Sequence, residues 1–226
     1  MNVVDLRSEY TKEDILDYYY RSLTLGVEFN LADIHPGVEV IIESDESVDD
    51  IVLVASDKLW SYTSFELLLP DYITSLDAYT FYHNSGLKAL TCGKSLRNIY
   101  NSCLYASNIE RLTIQETGLA IGPDACYSCN KLVEVKGSEN ILKLYNNAFS
   151  LCTNLKELDL SNCELIAYSA FDKSGIEKLV LSDNLRCDAL AFDNMPDLKK
   201  VIIKKRDGTG NIAKSLFHSG VEFEYI

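Results

Sequence analysis

Seven cysteines, three histidines and 34 acidic residues are the material for chemistry in this chain of 226 residues. Cys126-x-x-Cys129 has the spacing of half a zinc site or of a redox dithiol, where two thiolates can share a metal or a disulfide. A zinc site needs a second pair of ligands, and neither a second Cys-x-x-Cys nor a pair of spaced histidines exists. Gly93-Lys94-Ser95 has the last letters of a phosphate-binding loop. The glycine that would let such a loop wrap a phosphate is replaced by Lys88. Glu43-Ser44-Asp45-Glu46-Ser47-Val48-Asp49-Asp50 gathers Glu43, Asp45, Glu46, Asp49 and Asp50 in eight residues. Counted as a calcium loop from Asp45 it fails: position six is Asp50 instead of glycine, and position twelve is Ser56 instead of glutamate. His35, His83 and His218 are isolated, the last two beside turn residues, and no nucleophile elbow, metalloprotease helix or dinucleotide fingerprint occurs. The residues therefore assign no catalytic group, no metal and no cofactor.

The elements that carry these residues explain them better. One phrase, Ala148-Phe149-Ser150-Leu151-Cys152-Thr153-Asn154-Leu155-Lys156-Glu157-Leu158-Asp159-Leu160, recurs along the chain. With Phe149 as anchor, a small residue or cysteine follows three later, an aliphatic six later, and aliphatics nine and eleven later. Anchors at Phe81, Cys103, Cys126, Phe149, Phe171 and Phe192 are separated by 22, 23, 23, 22 and 21 residues. Leu216, Ser219-Gly220 and Val221 read as a last, truncated copy. Cys126 and Cys129 fall on core positions of the phrase, where a free cysteine behaves as a small hydrophobe. A period of 21–23 is that of a leucine-rich repeat, in which one turn cannot bury its apolar side alone and neighbours stack to share a core. The fold expected is a mainly β leucine-rich-repeat solenoid with one short parallel strand per turn. The six anchors should form a buried column, and the cysteines should be free thiols.

The second half of the unit, Leu69-Pro70 through Phe81, completes the pattern. Residues 58–226 resemble the BspA-like, or Treponema-type, leucine-rich repeat, whose unit reads Ala-Phe-x-x-Cys-x-x-Leu-x-x-Ile-x-Leu-Pro-x-x-Leu-x-x-Ile. The resemblance implies binding or adhesion, often at cell surfaces, and no enzymatic activity.

Charge divides the chain. Of a formal net charge of −13, residues 1–66 carry 15 acids and 4 bases, and the remainder is close to neutral. Residues 1–57 read as an acidic N-terminal cap. Thr11-Lys12-Glu13-Asp14 has the form of a helix start, Ile15, Leu16, Tyr19, Tyr20 and Leu23 share one helical face, and Gly26 suits the stop. An α-helix here would cover the open end of the solenoid. Val38–Ile42 reads as a degenerate first strand after the turn His35-Pro36-Gly37. Such a head repels nucleic acid and anionic membrane and favours a protein with a basic surface. Lys204-Lys205-Arg206 reads as a turn loop, since the body has no broad basic stripe. The absence of a leader pattern, of any Asn-x-Ser/Thr sequon and of an even cysteine count points to a reducing cytoplasmic setting. A secreted or surface protein whose signal was removed is the alternative. Nothing in the residues fixes an oligomeric state.

In each expected strand the inward aliphatics leave outward neighbours. On the sheet these are Arg111, Thr113, Gln115, Glu134, Lys136, Glu157, Asp159, Lys178 and Lys200. Their mixed signs suit a protein partner better than a polyanion. The function expected is a non-enzymatic protein-binding module that uses this face, the acidic head, or both. The alternative is an inhibitor of the phage or mobile-element type, whose head imitates phosphate charge in the basic groove of a nucleic-acid enzyme.

Overall fold

The structure, a computed structural model, describes residues 64–116, 118–205 and 212–226, residue 13, and the backbone of strands at 2–5, 38–43 and 50–55. Each turn of the chain lays down a front strand, a short back strand and a tight turn that returns to the front. The front strands are β1 (Asn2–Asp5), β4 (Phe65–Leu68), β6 (Leu87–Thr91), β8 (Arg111–Thr113), β10 (Glu134–Lys136), β12 (Glu157–Leu160), β14 (Lys178–Ser182), β16 (Lys200–Lys204) and β17 (Glu222–Tyr225). The back strands are β5 (Ser75–Leu76), β7 (Asn98–Ile99), β9 (Leu119–Ile121), β11 (Ile141–Leu144), β13 (Leu165–Ile166) and β15 (Arg186–Cys187), preceded by β2 (Val38–Glu43) and β3 (Asp50–Ala55).

The strands form because their aliphatics alternate. In β16, Val201 and Ile203 are buried while Lys200, Ile202 and Lys204 face outward. Stacked turns pair in parallel, for example Leu158 beside Leu179 beside Val201. The core is continuous from Phe65 to Phe217 and is built of the leucines and isoleucines of the strands with the anchors of the turns.

Two N-terminal elements extend the sheets. Asn2–Asp5 pairs in parallel with β4 and opens the front sheet. Val38–Glu43, expected as a lone degenerate strand, pairs antiparallel with Asp50–Ala55, and that second strand joins β5. The first end of the back sheet is thus closed by a hairpin. The helix expected over residues 11–26 lies outside the described residues, apart from Glu13, an exposed helical position.

The front sheet divides between β10 and β12 into groups of five and four strands, while the back sheet runs unbroken through eight. The cause sits just after β10. Gly137 has φ 75° and approaches so closely that a Cβ there would lie 2.0 Å from the Ile114 carbonyl oxygen. It leads into a 3-10 turn at Ser138–Asn140. Across the step the Ser138 Oγ accepts a hydrogen bond from the Asp159 N–H at 2.9 Å, taking the place of a backbone carbonyl.

The turn side rests on a regular device. Residues two before and two after each anchor from Phe81 to Phe171 adopt left-handed φ, among them Tyr79 and His83, Ser102 and Ala106, Asp124 and Ser128, and Asn147 and Leu151; at Phe192 only Asn194, two after, does so. A non-glycine residue in this region costs about 1–2 kcal/mol. The return is a ladder: the N–H groups of Tyr79, Phe81 and His83 donate to the carbonyls of Asn101, Cys103 and Tyr105, the turns through Leu151 repeat the pattern, and Ser169 and Lys173 then donate to Leu190 and Asn194.

This ladder corrects one anchor. The N–H of Leu104, not of Cys103, donates to Ala125, as that of Phe81 does to Cys103, Cys126 to Ala148 and Phe149 to Ala170. Leu104 therefore stands in the column of anchors. Cys103 occupies the small-residue place filled elsewhere by Ala125, Ala148, Ala170 and Ala191. The segment from anchor to strand is one residue shorter in this turn, as it is after Phe171, and that shift makes Cys103 fit the phrase. All six expected anchors are buried. At the C-terminal end the aromatic column continues through Phe217, stacked on Phe192 at 4.5 Å, while the expected Leu216 is only partly buried.

Candidate functional site

The front sheet presents the outward row in the expected phase. Register sets Glu66, Ala89, Arg111 and Glu134 side by side, then Leu68, Thr91, Thr113 and Lys136. Beyond the step come Glu157, Lys178, Lys200 and Glu222, and then Asp159, Val180, Ile202 and Glu224. Glu66, Glu222 and Glu224 belong to this row although the sequence reading did not reach them. Their strands lie at the ends of the front sheet, where the repeat phrase is degenerate.

Most of these charges satisfy one another. Arg111 pairs with Glu66 at 2.6 Å, reaching across β6. Lys178 pairs with Glu157 at 3.1 Å and Lys200 with Glu224 at 2.6 Å. Lys204 reaches across β14 to Asp159 at 3.1 Å and to the Ser161 Oγ at 3.1 Å. Burial works to raise the Asp159 carboxyl, but the hydrogen bonds from Ser161 and Lys204 outweigh it and hold the group below its ordinary value. The hydrogen bond to Glu224 raises Lys200 above the usual lysine value. At the entry to the strands Glu177 sits between Lys199 at 2.5 Å and Lys156 at 3.3 Å, and Lys199 above all lowers its carboxyl. Gln115, exposed just past β8, donates its amide to the Cys92 carbonyl at 2.7 Å. Glu134 and Lys136, beside the step, stay exposed.

At the step lies a cavity of about 300 Å³ whose lining includes Glu134, Lys136, Glu157, Asp159 and Lys178. Five of the nine expected front-face residues thus meet at one place, with the apolar surfaces of Val135 and Val180 between them. Arg111, Thr113 and Gln115 stand one strand to one side of that place, and Lys200 one strand beyond β14 on the other. Of the acidic head, Glu43 and Asp50 are opposite each other at the end of the hairpin. Asp45, Glu46 and Asp49 lie outside the described residues.

The seven cysteines are free and six are buried. Burial pushes the Cys92 and Cys163 thiols up to about 12. Cys129 Sγ donates to the Leu104 carbonyl at 2.9 Å and Cys152 Sγ to that of Cys126 at 3.0 Å, so both act as thiols inside the core. Cys126-x-x-Cys129 is therefore part of the packing. Among the described residues no group of three His, Cys, Asp or Glu side chains is disposed to hold a metal ion, and no helix is long and apolar enough to cross a membrane.

Sequence reading missed a second surface. Tyr82, Tyr105 and Tyr127 follow the anchors of three successive turns and stack at 5.0 and 4.9 Å. Tyr79 and His83 pack against Tyr82 at 5.7 and 4.4 Å. Placing the second anchor at Cys103 put Tyr105 two places after it instead of one, and so hid the periodicity.

Turns of 21–23 residues, each with a parallel front strand and inward Leu-x-Leu pairs, define a leucine-rich-repeat solenoid. The chain belongs to the BspA type: the family described as BspA type leucine rich repeat region matches in six copies over residues 56–177 and 119–226. A solved structure agrees in fold. The T. pallidum leucine-rich repeat protein has 15% identity and a TM-score of 0.50, over 74% of this chain and 69% of that one. The pneumococcal vaccine antigen PcpA has 19% identity and a TM-score of 0.49, over 80% of this chain and 44% of that one, so this chain spans less than half of its length. A leucine-rich repeat protein from Bacteroides ovatus has 17% identity and a TM-score of 0.37, over 84% and 77%. No curated protein sequence matches.

Proposed function

We propose that the chain is a non-enzymatic protein-binding module that receives its partner on the front sheet, at the step between β10 and β12. The observation that carries this reading is the cavity of about 300 Å³ where Glu134, Lys136, Glu157, Asp159 and Lys178 converge. It is the place where a rigid, self-paired sheet is interrupted, and it offers both signs of charge and apolar floor to one ligand side chain. Membership of a repeat family of binding modules supports the same reading. A second reading, docking through the acidic head to a basic protein surface, is favoured by charge: residues 1–66 carry 15 acids against 4 bases.

The test is a binding comparison with a partner recovered by cross-linking and identified by mass spectrometry. Glu134→Ala, Lys136→Ala and Glu157→Ala together should weaken the purified complex by roughly tenfold or more, as expected when residues at the centre of an interface are truncated. Neutralising Asp45, Glu46, Asp49 and Asp50 together should leave affinity near that of the parent. The opposite pattern would move the site to the head.

A further inference from the structure

The two long faces of the solenoid differ in how their charges are satisfied. On the front sheet and its approach, among the described residues, the ion pairs link Glu66, Glu157, Asp159, Glu177 and Glu224 to lysines or arginine of the same surface. The turn face has no such economy. Among the described residues its turn segments carry Asp77, Asp124, Asp172, Asp188 and Asp193 against the cations Lys131 and Lys173. None of these aspartates forms an ion pair among the described residues; Asp124 and Asp172 accept neutral amides instead, from Asn147 at 3.0 Å and Asn194 at 2.7 Å.

The same face holds the aromatic row. Tyr79, Tyr100, Tyr145 and Tyr168 are exposed, at 57, 41, 37 and 48%. Tyr79 packs against Tyr82, at one end of the stack of Tyr82, Tyr105 and Tyr127, and the Asn101 amide donates to the Tyr79 hydroxyl at 3.1 Å. Rigid tyrosines with unpaired carboxylates among them form a surface that lacks only positive charge. A guanidinium satisfies both parts, since it pairs with a carboxylate and lies flat on an aromatic ring, whereas an ammonium does the first without the planar stacking. Nucleic acid and anionic membrane are excluded by sign. The stacked rings cover one another's faces, which leaves little platform for a neutral sugar.

We propose that the turn face docks an arginine-rich, extended segment of a partner protein, with guanidinium groups pairing to Asp77, Asp124 and Asp172 and resting on Tyr79, Tyr100 and Tyr145. Six turns, separated by five steps of about 4.8 Å, make a row about 24 Å long, which roughly seven extended residues span. This surface is separate from the front-sheet cavity and does not depend on it.

The experiment uses the full chain and fluorescein-labelled nona-arginine, read by anisotropy, with nona-lysine and a neutral oligosaccharide as comparators. Nona-arginine should bind, several-fold more tightly than nona-lysine, and the oligosaccharide should not compete. Asp77→Asn, Asp124→Asn and Asp172→Asn together should weaken binding by roughly tenfold, the loss of a few exposed charge contacts. Tyr79→Ser, Tyr100→Ser and Tyr145→Ser together, all at exposed positions, should do the same while circular dichroism stays that of the parent. Neutralising Asp45, Glu46, Asp49 and Asp50 should change binding less than about twofold, as should Glu134→Ala with Lys136→Ala. Absence of nona-arginine binding, equal binding of nona-lysine, or loss confined to the head variant would overturn the proposal.

Discussion

Replacing Leu104 and Cys103 by alanine, one at a time, separates the two registers of the second turn. Both side chains are fully buried. If Leu104 is the anchor, Leu104→Ala removes three carbon atoms from the column that holds Phe81 before it and Cys126 after it. Neighbouring turns are held by the backbone ladder and relax little, so the cost should be about 2–5 kcal/mol. Cys103→Ala should cost about 1 kcal/mol or less, comparable to losing one methyl group. It substitutes the residue that already stands at the equivalent place in four other turns, at Ala125, Ala148, Ala170 and Ala191. Urea denaturation followed by circular dichroism gives both values, provided the slope is unchanged so that midpoints report stability. A Cys103→Ala variant as unstable as Leu104→Ala would refute the register and restore Cys103 to the column.

Other outcomes follow from the same packing. Lys173, at φ 52° and exposed, should accept glycine within about 0.5 kcal/mol of neutral, because relief of the left-handed backbone offsets the entropy of glycine; Lys178→Gly, inside β14, should cost about 1 kcal/mol or more. In a thiol-reagent assay at pH 8 the native protein should release its first thiol from Cys187, the only half-exposed cysteine of the seven, and the rest only on denaturation; rapid reaction of Cys92 or Cys163 would contradict their burial. The Asp159 carboxyl lies below its ordinary value in the folded chain, so its contribution is present above the unfolded carboxylate value and is lost as pH falls through the lower, folded one. The stability difference between the parent and Asp159→Asn should therefore hold steady near neutrality and shrink below about pH 4; a difference that grows in acid would refute the pairing with Lys204.

What the sequence made legible is what repeats. Leu158 and Leu160, Leu179 and Leu181, Val201 and Ile203 recur as alternating pairs eight or nine residues after their anchors, and this alone fixes the front strands, their phase and the outward row. A front-face residue such as Lys178 could therefore be placed from its neighbours. The step at Gly137 was not legible, because one close approach to the Ile114 carbonyl is a contact between turns and leaves no periodic trace. Asn2–Asp5 joins the front sheet with four residues that contain none of the repeat phrase. The partner of Val38–Glu43 is set by a register that only the fold supplies. The left-handed positions were hidden for another reason: they are occupied by Tyr, His, Ser, Ala, Asp, Asn, Leu and Lys, since the ladder of N–H bonds enforces a conformation that glycine usually signals.

The pairing of charges decides how each face can recognise a ligand. Arg111 reaches Glu66 over Ala89, and Lys204 reaches Asp159 across β14, whose nearest register neighbours are Val180 and Ser182. In both cases a small or short side chain on the intervening strand lets a long one lie flat. Ions held this way have little free field, and a ligand that wants one of them must displace a partner already in place. The front face should therefore select by shape at the step, with affinity that changes little with salt. The turn face keeps its aspartates without cations, so a ligand there supplies the missing charge and gains from it. Its binding should weaken steeply between low and physiological ionic strength, where the screening length falls from roughly 30 Å to about 8 Å. Salt titration of the two ligands, the partner on the front sheet and nona-arginine on the turn face, thus distinguishes the surfaces without any substitution. Equal salt slopes for both would mean that the front-sheet ion pairs open on binding and that the charges there are as available as those on the turns.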